Sequence, residues 1–334
     1  MNFQQHIGAF VQLGQELENW VQTENPVIER AYVHNRWFTP ENTRKALLGW
    51  AQLLQTNSLE KWLESYPSAN PDPKTVAILM AGNIPLVGLH DLICVLLCGH
   101  NALVKLSSDD SVLMEAVIHA LIRIEPAFEK RIQILTERLP KTFDAVIATG
   151  SDNSNRYFEY YFRDKPHILR KNRNSVAVLT GNETPEDIQR LADDIFTYYG
   201  LGCRNVAKIF VPENYDFIPF FEQINAYVGS IDHHKYANNY TYHKSIFLMN
   251  MTHHLDNGFL LVKEDNAVAS PLSVLFYETY KNTEELNQRL AEQKDQIQCI
   301  VGKTAGYIPF GKAQDPELWD YADGVDTMDF LLKL

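Results

Sequence analysis

Cys203 stands in Tyr198-Tyr199-Gly200-Leu201-Gly202-Cys203-Arg204-Asn205, after a predicted helix and two glycines and before a predicted strand. Glycine lets the chain turn tightly and leaves the sulfur accessible. Arg204 beside it favours the thiolate, the nucleophilic form of cysteine. The alternative is a thiol that only fills core, since free cysteines pack as small hydrophobes. Asn83, in Ala81-Gly82-Asn83-Ile84-Pro85, follows the first predicted strand. Ligand-binding groups of parallel sheets gather at such carboxyl ends, and an amide there can donate to a developing oxyanion. Asn is also an ordinary turn residue. Lys105 closes the second strand, ahead of Ser107 and Ser108. A cation and hydroxyls at a strand-to-helix turn suit a phosphate or ribose, while the plain alternative is a lysine leaving a strand and a serine helix cap. Thr149-Gly150-Ser151 repeats the arrangement at another strand end. The glycine-rich dinucleotide fingerprint and the P-loop are both absent.

These residues need elements to hold them. Residues 1–70 read as amphipathic helices, with Trp20, Val27, Trp37, Leu47, Leu54 and Trp62 at helical spacing and Asn25-Pro26 and Thr39-Pro40 as punctuation. Residues 67–73, with three prolines, read as a linker. Short apolar runs at 75–81, 102–106, 145–149, 175–180 and 206–211 read as strands, with helices between them at 85–98, 112–124, 152–162 and from Thr184 to Tyr199. This alternation implies βαβ units and a parallel sheet. Beyond it, helices are expected at 217–228 and 283–294, and strands at 245–249 and 271–276. The expected division is a helical N-terminal segment at 1–70 and a Rossmann-like cofactor-binding domain at 71–200. A catalytic domain at 201–304 and a tail at 305–334 that could pack back on the cofactor domain complete it.

Composition sets the class. A chain of 334 residues makes about two domains. With 30 Lys+Arg against 42 Asp+Glu, a net charge of −12, composition argues against a general nucleic-acid binder, which needs a basic face, and leaves a local basic pocket open. Four cysteines without a C-x-x-C pair are no disulfide framework. Cys94 and Cys98, four apart on one apolar helix, read as core filler, and Cys299 as a strand residue. No run approaches a membrane span and the N-terminus resembles no secretory signal, so a cytoplasmic protein is expected. Five of the 11 histidines lie between His233 and His254, but without a ligand motif they read as surface or packed residues, and no metal is expected. Tyr157, Tyr160 and Tyr161 read as a helix face packed on the sheet.

The order Gly82-Asn83-Ile84-Pro85, Lys105-Leu106-Ser107-Ser108, Thr149-Gly150-Ser151 and Gly202-Cys203 resembles the aldehyde dehydrogenase superfamily. The corresponding elements there are a W-N-x-P turn, a K-P-S-E turn, an F-T-G-S turn and a G-Q-x-C nucleophile loop. The 120 residues from Asn83 to Cys203 match that family's interval. The nearest branch is the LuxC-type acyl-CoA reductase family, and the resemblance runs over roughly residues 75–280. It implies an α/β fold of aldehyde dehydrogenase type, with a Rossmann-like cofactor domain, a smaller α/β catalytic domain and a helical N-terminal segment. It also assigns Cys203 and Asn83 as catalytic, and Lys105, Ser107, Ser108, Thr149, Gly150 and Ser151 as cofactor-binding.

The departures from the superfamily pattern carry information too. The E-L-G-G-K general base falls near Leu169-Arg170-Lys171-Asn172-Arg173-Asn174-Ser175, which contains no carboxylate. Without a base to activate water, an acyl-enzyme exchanges with a thiol such as coenzyme A instead. Ser108 stands where K-P-S-E has Glu, which with Lys105 is compatible with NADPH; NADH is the alternative, and Asp109 and Asp110 weigh toward it. Leu106 replaces the proline of that turn, and Glu264 is a poor match to an E-x-F-G-P motif. Only 131 residues follow Cys203, so a trimmed second domain is expected. The resemblance therefore implies NADPH-dependent reduction of an acyl-CoA to an aldehyde through an S-acyl-cysteine, by an enzyme that could be a homo-oligomer. An oxidising aldehyde dehydrogenase, a thiol acyltransferase or acyl-binding protein without redox activity, and a scaffold are the other readings.

Overall fold

Asn25 and Thr39 each end a turn with a side chain that caps the next helix. The Asn25 carboxamide accepts the Val27 N–H, the Thr39 hydroxyl accepts the Asn42 N–H, and a proline follows each cap at the first helical position. In this computed structural model the described residues are 3–67, 72–136, 139–140, 142–150 and 152–334. Ser151 and residues 68–71 of the expected linker lie outside them. The N-terminal helices are α1 (Phe3–Gln22), α2 (Pro26–His34), α3 (Pro40–Leu53) and α4 (Thr56–Leu63). Their apolar stripes, among them Phe10, Leu13, Leu17, Val27, Leu47 and Trp62, join one core with the sheet that follows. Residues 1–70 are therefore helical but no separate layer.

The chain divides into two compact units, Met1–Asn172 with Glu317–Leu334, and Arg173–Pro316. In the first unit come β1 (Thr75–Leu79), α5 (Leu89–Leu97), β2 (Asn101–Lys105), α6 (Ser111–Ile124), β3 (Ile132–Ile134), β4 (Ala145–Thr149), α7 (Asp152–Phe162) and β5 (His167–Arg170). All five strands are parallel, in the order β3-β2-β1-β4-β5. Alternate residues of β1 serve opposite faces. Val76 and Ile78 enter the core shared with the N-terminal helices, and Ala77 enters a second one with Phe143 and Phe162. A parallel sheet has to be covered on both faces in this way. The helix after Pro85 begins only at Leu89, and seven of its nine side chains are wholly buried apolar groups. A helix apolar all round belongs inside a core. On α7, Phe158 and Phe162 form the packed stripe. Tyr157, Tyr160 and Tyr161 are instead 59%, 66% and 71% exposed, which corrects their expected place on the sheet.

The second unit contains β6 (Asn174–Val178), α8 (Pro185–Phe196), β7 (Val206–Pro212), α9 (Phe217–Gln223), α10 (His234–Met249), β8 (Leu255–Asp256), β9 (Leu261–Glu264), β10 (Val274–Tyr280), α11 (Thr283–Glu292) and β11 (Ile297–Val301). Its sheet runs β11-β6-β7-β10-β9-β8, with only the β8–β9 pairing antiparallel. The break between units thus falls after Asn172, not after residue 200. β6 and α8, expected in the first domain, belong to the second sheet because β6 pairs with β7 and β11. Residues 245–249, expected as a strand, close α10. Phe247 alone of them is buried, in line with Tyr236 and Tyr240 along one helix face. The helix expected at 217–228 ends at Gln223 and continues as a 3-10 turn to Asp232. The last helix, α12 (Thr327–Leu332), returns to the first unit, where Met328 and Leu331 are buried in its core.

Candidate active site

In the first unit three strands stop together. β1 ends at Leu79, opposite Lys105 of β2 and Ala148 of β4. The chain winds from β1 through β2 to β3 on one side, then crosses to β4 and β5 on the other. The carboxyl ends of β1 and β4 therefore flank the point where the winding reverses, the usual ligand crevice of an open α/β sheet. At that edge lie the turn bearing Asn83, then Lys105, Ser107 and Ser108, and Thr149 with Gly150. Asn83 and Ser108 are exposed, and Lys105, Ser107, Thr149 and Gly150 half-buried. The Lys105 ammonium donates to the Thr136 carbonyl at 3.4 Å. A Cβ on Gly82 would fall 2.5 Å from the Ser107 hydroxyl oxygen. Glycine is thus required for the Asn83 and Ser107 turns to pack against each other. The Gly150 carbonyl accepts from Asn155 Nδ2 at 3.1 Å, and the same amide donates to the Arg170 carbonyl at 2.9 Å, joining the ends of β4 and β5.

Arg170 lies in the segment 169–175, near which the resemblance expects the superfamily's water-activating carboxylate. Its guanidinium is buried in a two-pronged pair with Asp91 of α5, and it also donates to Thr327 Oγ1 at 3.0 Å. Burial works against this charge, but Asp91 outweighs it and holds the guanidinium protonated. Arg170 is thus a structural cation.

In the second unit Cys203 lies between a 3-10 turn and the start of β7, half-buried and outside any disulfide. Tyr198, Tyr199 and Gly200 before it are all left-handed, with φ of 55°, 57° and 81°. Two tyrosines in this region store backbone strain of about 1–3 kcal/mol each, which persists only where the surroundings enforce it. Asn205 holds the backbone on either side of this segment. Buried to 1% exposure, its carbonyl accepts the Gly202 N–H at 2.8 Å. Its amide donates to the carbonyls of Asp194, Ile195 and Thr197 at 3.1, 3.3 and 2.7 Å, capping the open end of α8. The Asp194 carboxylate accepts the Gly311 and Ala313 N–H groups at 2.7 and 2.8 Å. Burial pushes this carboxyl up to about 6 against the pull of those two bonds. Arg204 donates from Nε to the Ala313 carbonyl at 2.5 Å, so this guanidinium nitrogen ties down the 311–313 strap. Ser175 donates to the Cys203 carbonyl at 3.1 Å and lies 2.9 Å from Cys299 Sγ. The Tyr199 ring rests on His233, with centroids 4.5 Å apart.

The other thiols differ in kind. Cys94 and Cys98 are fully buried. Desolvation raises both, Cys98 to about 12, and an unionised thiol is inert. Asn205, Asp194, Arg170 and Asp110 were not legible beforehand, because what distinguishes them is which groups they reach across the fold. Lys208, another buried charge, meets Glu278 and the Asn266 carbonyl inside the second sheet. Burial lowers its proton affinity and Glu278 opposes this, so it reads as a sheet-interior ion pair.

Comparison with known proteins fits this geometry. A family model described as acyl-CoA reductase (LuxC) matches residues 16–232. A long-chain acyl-protein thioester reductase of Aliivibrio fischeri is 25% identical over 172 residues, covering 46% of this chain and 35% of that protein. Long-chain acyl-protein thioester reductase 2 of Photobacterium leiognathi is 24% identical over 192 residues, covering 51% and 39%. The matched span is thus little more than a third of the length of these relatives. Among solved structures, aldehyde dehydrogenase 21 of Physcomitrella patens superposes with a TM-score of 0.69 at 14% identity, covering 91% of this chain and 74% of that one. An indole-3-acetaldehyde dehydrogenase in complex with NAD+ does so with a TM-score of 0.68 at 14% identity, covering 94% and 74%. The fold is that of the aldehyde dehydrogenases.

Proposed function

Since the chain belongs to the LuxC family of acyl-CoA reductases, we propose that it reduces an acyl thioester to an aldehyde, with Cys203 as nucleophile and NADPH as reductant. The observation that carries this reading is the thiol loop. A half-buried cysteine follows three left-handed residues whose loop is clamped by Asn205, inside the segment that the family spans. Such strain held in place is typical of functional positions.

The cofactor's fit rests on the first sheet. Its strand order leaves a crevice at the ends of β1 and β4, edged by a cation and hydroxyls suited to phosphate and ribose. Lys105, Ser107, Ser108, Thr149 and Gly150 would hold the dinucleotide, with Ser151 beside them in sequence. When bound, the nicotinamide supplies the hydride that takes the acyl group to the aldehyde oxidation level. The chain's own part is nucleophilic and electrostatic. The Cys203 thiolate forms a bond to the thioester carbonyl carbon as the carbonyl π pair moves to oxygen. The Cys203 N–H and Asn83, the side chain that the family resemblance assigns to this role, are the proposed donors to that oxyanion, a role typically worth about 3–4 kcal/mol per donor. The C–S bond of the donor then breaks and its thiolate leaves, which keeps the acyl group on Cys203. After reduction the Cys203 thiolate departs from the tetrahedral carbon and the aldehyde is free.

Coenzyme A is the donor thiol in the family's description, whereas the curated relatives are named for acyl-protein thioesters. The chemistry at Cys203 is the same for both donors. Intact mass spectrometry after incubation with a long-chain acyl-CoA tests the proposal. One acyl adduct on Cys203 is expected, absent in Cys203→Ala and discharged as aldehyde by NADPH. An adduct that persists with NADPH would leave an acyltransferase, and no adduct at all would remove both readings.

A further inference from the structure

We propose that Asp110 is a positioning residue that couples the Ser107 turn to the Asn83 turn, so that cofactor in the first changes how the second presents its oxyanion donor. This rests on the roles proposed above for those two turns. Asp110 ends the 3-10 turn Ser108–Asp110 and is 2% exposed. Its Oδ2 accepts the N–H of Leu86 at 2.8 Å. Leu86 lies three residues beyond Asn83, is wholly buried and has a left-handed φ of 60°. An L-residue pays about 1–2 kcal/mol in this conformation, and the buried N–H needs an acceptor. Asp110 supplies that acceptor at a cost to itself, because its other oxygen, Oδ1, is buried without a hydrogen bond. Burial raises its proton affinity well above that of an ordinary carboxyl, against the pull of the Leu86 N–H.

The same short segment is held from two more sides. A Cβ on Gly82 would lie 2.5 Å from Ser107 Oγ and 3.1 Å from the Asp110 nitrogen, so no side chain cushions the contact between the turns. Outside, His34 Nε2 donates to the Ser108 carbonyl at 2.6 Å and Asn35 Nδ2 to the Asp109 carbonyl at 3.3 Å, pinning the segment to the end of α2. A displacement of Ser107 therefore has no slack to absorb it. It moves Asp110 and, through one buried hydrogen bond, the backbone just beyond Asn83. Packed, hydrogen-bonded elements of this kind carry coupling between neighbouring sites.

The experiment measures the rate at which a long-chain acyl-CoA acylates Cys203, with and without saturating NADP+, which binds without delivering a hydride. NADP+ is expected to change the rate about fivefold or more, the range of coupled sites. Asp110→Asn, which keeps a carbonyl for the Leu86 N–H, should retain most of that ratio. Asp110→Ala should bring it to about one while still binding NADP+ in calorimetry and melting cooperatively. If the alanine variant does not fold, Asp110→Ser, whose hydroxyl is too short to reach Leu86, is read in the same way. A ratio near one in the parent protein, or one undiminished in the alanine or serine variant, overturns the coupling and leaves the proposed function standing. Failure to form any adduct, or to bind any NADP+, overturns both together.

Discussion

Asn205 fills every hydrogen-bonding position of its side-chain amide that the thiol loop requires, and each bond ends on backbone. Asn205→Ala should therefore cost about 3 kcal/mol, since an unpaired buried polar group costs about 1–3 kcal/mol and several are left. Chemical denaturation checks the stability. The rate of Cys203 alkylation by iodoacetamide, compared with that of Cys299 in the same protein, checks whether the loop has moved. Asp194 next to it predicts a pH effect. Its carboxyl is raised to about 6, with burial as the main cause and Asp193 and Asp315 adding to it. A raised carboxyl favours the protonated fold, so this stabilisation is present in acid and lost as pH rises through about 6. Relative to Asp194→Asn, the parent protein should lose about 1 kcal/mol between pH 5 and pH 7. A difference that stays flat across that window would show an ordinary carboxyl. Neither residue was legible beforehand. Cys203 announced itself through its glycines, whereas a buried amide two positions on looks like any asparagine until its carbonyl partners are known.

At the scale of elements, the pair Arg170–Asp91 joins the end of β5 to α5, and Thr327 brings in α12. Arg170→Ala leaves Asp91 as a buried carboxylate without its cation and should cost about 3–5 kcal/mol. The double variant Arg170→Met with Asp91→Leu should recover most of that loss, because a packed apolar pair can replace a buried ion pair. Urea midpoints of the three proteins decide it. The strands of this region were legible in sequence as apolar runs between turn residues, and β1, β2 and β4 fall where those runs lie. Their partners were not. In sequence the strand–helix alternation runs from β4 through α7 to β6, yet β5 intervenes and hydrogen bonding assigns β6 to a different sheet. Residues 245–249 misled for another reason. A short apolar run fits strand and helix alike, and only burial along α10 shows that Phe247 faces inward while Leu248 and Met249 do not.

Across the whole molecule, the missing base predicts the fate of an acyl group. Residues 169–175 contain no carboxylate, and Arg170 among them is locked onto Asp91. On the proposed function, water at an acyl-Cys203 would receive no general-base assistance from this segment, assistance typically worth about 10²–10⁴-fold. Incubation of the acyl-enzyme in buffer should release free acid only slowly, while added coenzyme A should discharge it promptly. Rapid acid release without a thiol would contradict this reading and favour an oxidising dehydrogenase. Net charge, visible in composition, bears on partners but is silent on this point. The candidate site residues could be named from sequence because they sit in turns at strand ends, and the groups that hold those turns could not, because they act across the fold.

The first unit takes its helices from both sides of the second: α1 to α7 precede residue 173, and α12 follows residue 316. Synthesis therefore delivers the whole of the second unit before the first receives the helix that buries Met328 and Leu331 and meets Arg170. A nascent chain emerging from the ribosome at about 5–20 residues per second carries the apolar α5 partly uncovered throughout that interval. The segment inserted in the middle is contiguous and can close first. The order of maturation is then the reverse of the order of translation, and early chaperone contact should concentrate on the N-terminal unit.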